Sequence, residues 1–313
     1  MALQIGIHTG PQNCTYEELR RVWRFADSSG FYWVSIWDHF YDNPSPDGRG
    51  ACFEGVSSMT ALAAETTNVR VGSLVFSMGY RNPALLAKAA ATIDHISNGR
   101  LELGLGGGWY ELEHTAYGYA YPPIKVRLDM LEEGVQIIKS MLTQEVTSFS
   151  GEHFQVQDAY CFPRPVQAKP RIWIGGRGER RTLRIVARHA DGWNAAYVSA
   201  EEYARLRGVL EGWCETEGRD PGEITRSVNT GFYMGVDQAE ADRLRRHFEQ
   251  EWGSMADVRR GGMLFGTPSE VTARIGDYVD AGAQGLNIAL RAPFNWDALQ
   301  AFAEEVLPAF AFA

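Results

Sequence analysis

Asp38 and His39 stand side by side at the end of the apolar run "VSIW" (34–37). A neutral imidazole with an ordinary pKa near ~6.5 takes or gives a proton around neutrality. A neighbouring carboxylate can orient a reacting molecule or accept a hydrogen bond from its hydroxyl. Both groups are costly to bury without partners. Their position on the last step of a buried strand therefore points to a pocket where proton transfer is wanted. The alternative is plainer: Asp38 caps a turn and His39 fills surface.

Two glycine-rich stretches carry further chemistry. In "GLGGGWYELEH" (104–114), Gly104, Gly106, Gly107 and Gly108 remove side chains where a flat ring could lie against backbone, with Trp109 beside them. Glu111, Glu113 and His114 either line that pocket or form a solvated face. In "IGGRGERRTLRIVA" (174–187), the two glycines Gly175 and Gly176 let backbone amides approach a ligand. The helix that follows presents its positive end, flanked by Arg177, Arg180 and Arg181, which makes a phosphate site. A glycine turn with surface arginines is the competing reading. The stretch lacks the G-K-[ST] ending of a Walker loop and the G-x-G-x-x-G of a dinucleotide turn.

These residues need elements to position them, and strand and helix signals alternate along the whole chain. Strands are expected at 3–8, 32–37, 69–77, 100–108, 171–176, 191–197, 224–236 and 285–290. Helices are expected between them. The first has Thr15 as N-cap with Glu18 three places on and Gly30 as its stop, and another starts at Pro83 and ends at Asn98–Gly99. Eight βα units indicate a single (β/α)8 TIM barrel spanning 1–313, favoured over an open doubly wound sheet. A hairpin near 145–157 and an insertion near 237–266 decorate it. In a barrel the chemistry sits at the C-terminal ends of the strands, where Asp38, His39 and both glycine stretches fall.

Bulk properties narrow the function classes. The chain has 313 residues, 45% of them hydrophobic and 22% charged, with a formal net charge of −9. That balance argues against a nucleic-acid-binding surface, which needs clustered Lys and Arg. Cys14, Cys52, Cys161 and Cys214 form no C-x-x-C pair, so neither a disulfide scaffold nor a zinc site is expected, and no other metal site is read. No stretch approaches 18 uninterrupted apolar residues and the start is unlike a secretory leader, so a cytoplasmic location with no membrane partner is expected. A Schiff-base aldolase is disfavoured because Lys169 precedes its strand and no other lysine follows one.

Taken in order, "WDHF" (37–40), the stretch 72–118 and "RIWIGGRGERRTLRIVARHADGWN" (171–194) resemble the luciferase-like monooxygenase superfamily, in particular its oxidoreductases dependent on the deazaflavin coenzyme F420. The resemblance runs over most of 3–290 and fades over 237–266. It implies a barrel, a deazaflavin or flavin held across the strand ends, a small-molecule substrate and a homodimer. Asp38 and His39 match the acid and imidazole beside the redox ring, His39 moving the proton. The Leu74–Val75 link, or one step beside it, matches the bulge that backs the ring, often through a non-proline cis peptide. Gly106, Gly107 and Gly108, followed by Trp109, match the ring-contacting loop, and Gly175, Gly176, Arg177 and Gly178 match the phosphate turn. FMN, in a monooxygenase using reduced flavin and oxygen, is the alternative cofactor, and a non-catalytic cofactor-binding protein is a further rival. Some sugar-phosphate dehydrogenases of this branch carry glutamate where this chain has Trp109, and lysines for the substrate phosphate. The tryptophan points instead to an apolar or aromatic organic substrate.

Overall fold

The computed structural model describes residues 2–43 and 47–310. Its first unit is strand β1 (Gln4–Thr9), helix α1 (Tyr16–Ser28) and strand β2 (Trp33–Ile36). The expected capping box starts α1: the Glu18 amide donates to Thr15 Oγ1 at 3.2 Å and the Thr15 amide donates back to Glu18 Oε2 at 2.7 Å. Helix α2 (Gly55–Glu65) leads to β3 (Arg70–Ser73) and the short β4 (Phe76–Ser77). Helix α3 (Pro83–Ile96) begins with proline in its first turn and gives way to Asn98 and Gly99, both at positive φ.

Next come β5 (Leu101–Gly106), a short α4 (Glu111–Ala116) and the long α5 (Ile124–Thr143). The antiparallel hairpin β6 (Thr147–Ser150) and β7 (Gln155–Ala159) stands apart from the main sheet, where a hairpin was expected. Then follow β8 (Arg171–Gly175), α6 (Thr182–His189), β9 (Gly192–Ala196), α7 (Ala200–Glu217) and β10 (Thr225–Met234). The chain continues through α8 (Gln238–Trp252), α9 (Ala256–Arg260), β11 (Met263–Gly266), α10 (Pro268–Asp280), β12 (Gly285–Leu290) and α11 (Trp296–Ala301).

Among the described residues, β1, β2, β3, β5, β8, β9, β10 and β12 are hydrogen-bonded in that order, all parallel, and β12 pairs with β1 to close the cylinder. This is the (β/α)8 barrel. Because both faces of each strand are covered, by the cylinder's interior and by the helices, strands such as "LELGLG" and "GLNIAL" are buried at every position. Inside the barrel, an amide network joins neighbouring strands. Asn194 Nδ2 donates to Ser227 Oγ at 2.9 Å and to Asn229 Oδ1 at 3.0 Å, and Asn287 Nδ2 donates to the same Asn229 oxygen at 2.9 Å.

The segment read as an insertion contains a strand the sequence reading did not find. Residues Met263–Gly266 pair with Gly231–Met234, the outer half of β10. The Gly231 and Gly235 amides donate to Gly262 and Gly266. In β10 the odd-numbered residues face β9, so β11 continues that edge beyond the point where β9 ends. A four-residue apolar run carries too little periodicity to be told from a loop.

Candidate active site

The C-terminal end of β2 delivers Trp37, Asp38 and His39, all buried. His39 Nδ1 lies 2.8 Å from Glu113 Oε2, and its Nε2 lies 3.1 Å from Asn43 Nδ2. Glu113 comes from α4, just beyond the glycine loop, and its side chain is fully buried. Its Oε1 accepts the Phe40 amide at 2.6 Å and the Tyr41 amide at 3.0 Å, and its Oε2 also accepts the Tyr80 hydroxyl at 2.8 Å. Burial pushes the Glu113 carboxyl up. The His39 hydrogen bond and the two amides outweigh burial and hold it below the usual glutamate range. The Tyr80 hydroxyl is driven upward by burial and by the Glu113 charge, so it stays a donor.

Asp38, expected beside the ring as the acid of the site, has a different set of partners. Arg81 grips its carboxylate with two bonds of 2.6 and 2.8 Å, and the Ser77 amide donates to it at 2.9 Å. Arg81 also reaches Glu54, the residue that caps α2. With its side chain wholly covered, Asp38 supports the turn after β4 and the start of α2.

The peptide joining Leu74 to Val75 is cis and separates β3 from β4. Leu74 packs with Trp33 and Trp173, and Val75 lies partly exposed against the same group. A Cβ built on Gly106 would stand 2.5 Å from Val75 Cγ2, one on Gly175 2.7 Å from Val75 Cγ1, and one on Gly104 3.3 Å from the same methyl. Val75 thus lies first against Gly106 and Gly175, while Gly104 lies first against the Ser73 carbonyl oxygen. Gly107 faces Leu128, and Gly108, at φ +71°, faces Ser77 and His114. Ser77 Oγ and His114 Nε2 are buried polar atoms without a partner among the described residues. Trp109 is 58% exposed, stacks on Tyr110 at 5.1 Å and meets the His39 ring edge-on at 5.6 Å.

At the end of β8, the Gly176 amide is taken inward by Asn194 O at 3.0 Å. Arg177 and Gly178 are exposed, and a side chain at Gly178 would collide with Thr182 Oγ1 at 2.7 Å. Arg181, expected to flank the same anion, pairs with Asp129 on α5 instead. Sequence reasoning also missed two arginines near the other strand ends. Arg291 follows β12, donates to Asn43 O and lies over the Trp37 ring at 5.3 Å. Arg259, on α9, sits 3.9 Å over Trp252, and its Nε is buried without a hydrogen-bond partner among the described residues. Burial, then Arg291 and Arg177 among its neighbours, pull its pKa down. None of Arg177, Arg259 and Arg291 has a carboxylate within ion-pair distance among the described residues.

Glu113 had a weak signal: the second acid after a glycine run, on a turn too short to show which face is buried. Tyr80, Asn43 and Arg81 had none.

Residues 2–285 match the family model described as luciferase-like monooxygenase. A curated relative, F420-dependent glucose-6-phosphate dehydrogenase of Kineococcus radiotolerans, is 29% identical over 82% of this chain and 82% of its own length. Among solved structures, an F420-dependent secondary alcohol dehydrogenase in complex with an F420-acetone adduct superposes with a TM-score of 0.86 at 19% identity, covering 99% of each chain. An EDTA monooxygenase from Chelativorans does so with a TM-score of 0.83 at 17% identity, over 99% of this chain and 93% of the other. Both structures share the barrel.

Proposed function

The chain belongs to the luciferase-like monooxygenase family, and from that premise we propose that it is an oxidoreductase using coenzyme F420 to exchange a hydride with a small organic substrate. The observation that carries this reading is His39 at the strand mouth. Its Nδ1 is held by a buried carboxylate at 2.8 Å and its ring lies edge-on to the exposed Trp109 at 5.6 Å. The curated relative named for F420-dependent dehydrogenation supports the cofactor.

The residues present fit a flat ring with an anionic tail. Arg177, exposed and without a carboxylate at ion-pair distance among the described residues, lies on a turn where a side chain at Gly178 would press on Thr182 Oγ1, which suits a phosphate. Trp109 offers apolar surface beside His39, and Gly106, Gly107 and Gly108, with Leu74 and Val75 from the neighbouring link, would line the ring. When bound, the deazaflavin accepts or returns a hydride at C5. His39 takes the proton that leaves the substrate hydroxyl in one direction and returns it in the other. The barrel's share is to hold the reacting carbons together and exclude water.

The aromatic wall of Trp109 and Tyr110 favours an apolar or aromatic substrate. A second reading has its own observation: among the described residues Arg259 and Arg291 have no carboxylate at ion-pair distance, which favours a substrate with an anionic group. A homodimer in the cytoplasm completes the reading.

Titrating the purified protein with F420 and, separately, with FMN tests it by absorbance. F420 binding followed by bleaching against a panel of neutral aromatic alcohols and sugar phosphates is the expected result, and the panel separates the two substrate readings. Oxygen consumption with reduced FMN and no binding of F420 would make the protein a monooxygenase. Tight F420 binding without turnover on any substrate would make it a carrier.

A further inference from the structure

Glu113 does more than fill a buried site beside His39. Four donors converge on its two oxygens: the Phe40 and Tyr41 amides on Oε1, and the Tyr80 hydroxyl and His39 Nδ1 on Oε2. An ionised carboxylate offers acceptors only. A ring nitrogen 2.8 Å away must therefore carry the hydrogen, and the tautomer of the neutral imidazole follows: Nδ1 protonated, Nε2 bare. The other side of the ring agrees, since Asn43 presents its amide nitrogen, a donor, to Nε2 at 3.1 Å.

We propose that Glu113 is a positioning residue that locks His39 in the Nδ1–H tautomer and so makes Nε2 the atom that exchanges the substrate proton. This rests on the reading that His39 moves that proton. In the oxidative direction the substrate O–H bond breaks, its proton joins the Nε2 lone pair, and the electron pair of the adjacent C–H bond leaves as hydride to the cofactor. The resulting imidazolium keeps Nδ1–H on the Glu113 carboxylate, whose charge stabilises it. Asn43 blocks Nε2 until substrate arrives, and its own backbone carbonyl is held by Arg291. A substrate hydroxyl must therefore displace the Asn43 amide to reach His39.

The lock can be inverted with little change of shape. In Glu113→Gln the two backbone amides keep the side-chain oxygen at Oε1, which places the NH2 group against His39 Nδ1. Nδ1 must then accept, and the hydrogen moves to Nε2, the wrong atom for a base. Long-range 1H–15N correlation spectra of the cofactor-free protein read the tautomer directly, with His39 assigned by loss of its signals in His39→Gln. The expected wild-type spectrum has a protonated Nδ1 and a bare Nε2, and Glu113→Gln exchanges the two. Turnover in that variant should fall roughly 10²–10⁴-fold with KM moved little. Tyr80→Phe, which removes a donor from Glu113 but leaves the carboxylate, should keep the wild-type tautomer.

A wild-type His39 carrying its hydrogen on Nε2 overturns the proposal without any variant having to fold. A Glu113→Gln protein that keeps wild-type turnover overturns it too. Because the spectrum needs no cofactor, a protein that uses FMN rather than F420 would defeat the proposed function and leave this measurement standing.

Discussion

His39 and Glu113, 74 positions apart in the chain, meet at 2.8 Å where the end of β2 faces the first turn of α4. An imidazole held by one nitrogen on a buried carboxylate is oriented, so the other nitrogen can work as acid or base without losing its direction. Removing the ring should leave the cofactor's other contacts in place. His39→Ala is expected to bind F420 as the wild type does, by absorbance titration, while turnover drops by roughly 10²–10⁴-fold. Full turnover would remove His39 from the mechanism.

Arg81 is the cation that makes the burial of Asp38 tolerable, with two bonds to it of 2.6 and 2.8 Å. Truncating one member of such a pair strands the other. Arg81→Met should destabilise the protein by about 3–5 kcal/mol in urea unfolding. Arg81→Lys should also be less stable than the wild type, since an ammonium cannot make the two-pronged contact.

Val75 and Gly106 are fitted to one another. Gly106→Ala would bring its methyl to 2.5 Å from Val75 Cγ2. A destabilisation of about 1–3 kcal/mol is expected. Val75→Ala in the same chain should recover part of it, and a double-mutant cycle with no coupling would show that the glycine serves something else.

His8 predicts acid sensitivity. Its Nδ1 bonds Ser35 Oγ at 2.9 Å, and burial, helped by the charges of Arg291 and His39, pushes the imidazole down to about 3 from its usual 6.5. Between those two values the unfolded chain binds a proton that the folded one refuses. Stability must therefore rise with pH across that window, and it is lost as pH falls through it toward 3. The slope from this one group is up to about 1.4 kcal/mol per pH unit. His8→Gln should flatten the fall in chemical-denaturation stability between pH 6.5 and the acid limit. An unchanged slope would place the acid-sensitive group elsewhere.

The protein's architecture could be read from its sequence because its signals are local. The Thr15–Glu18 box, the Pro83 start and Asn98–Gly99 stop of α3, and the apolar runs of β5 and β12 each involve residues within a few positions of one another. Backbone geometry turns such spacing directly into helix and strand. The positions of His39 and of both glycine turns at strand ends followed from the barrel's polarity, and a short run such as "MLFG" (263–266) escaped because it holds no full period.

What the chain order could not contain is which polar groups face each other. Asp38 and His39 are adjacent, yet one is bound to Arg81 beneath the mouth and the other to Glu113 beside it. Gly106 and Gly175 accommodate a valine from the link between β3 and β4. These outcomes depend on burial and on partners brought from about 30 to 100 residues away. A carboxylate's environment, and so its chemistry, is a property of the closed barrel and of no segment within it.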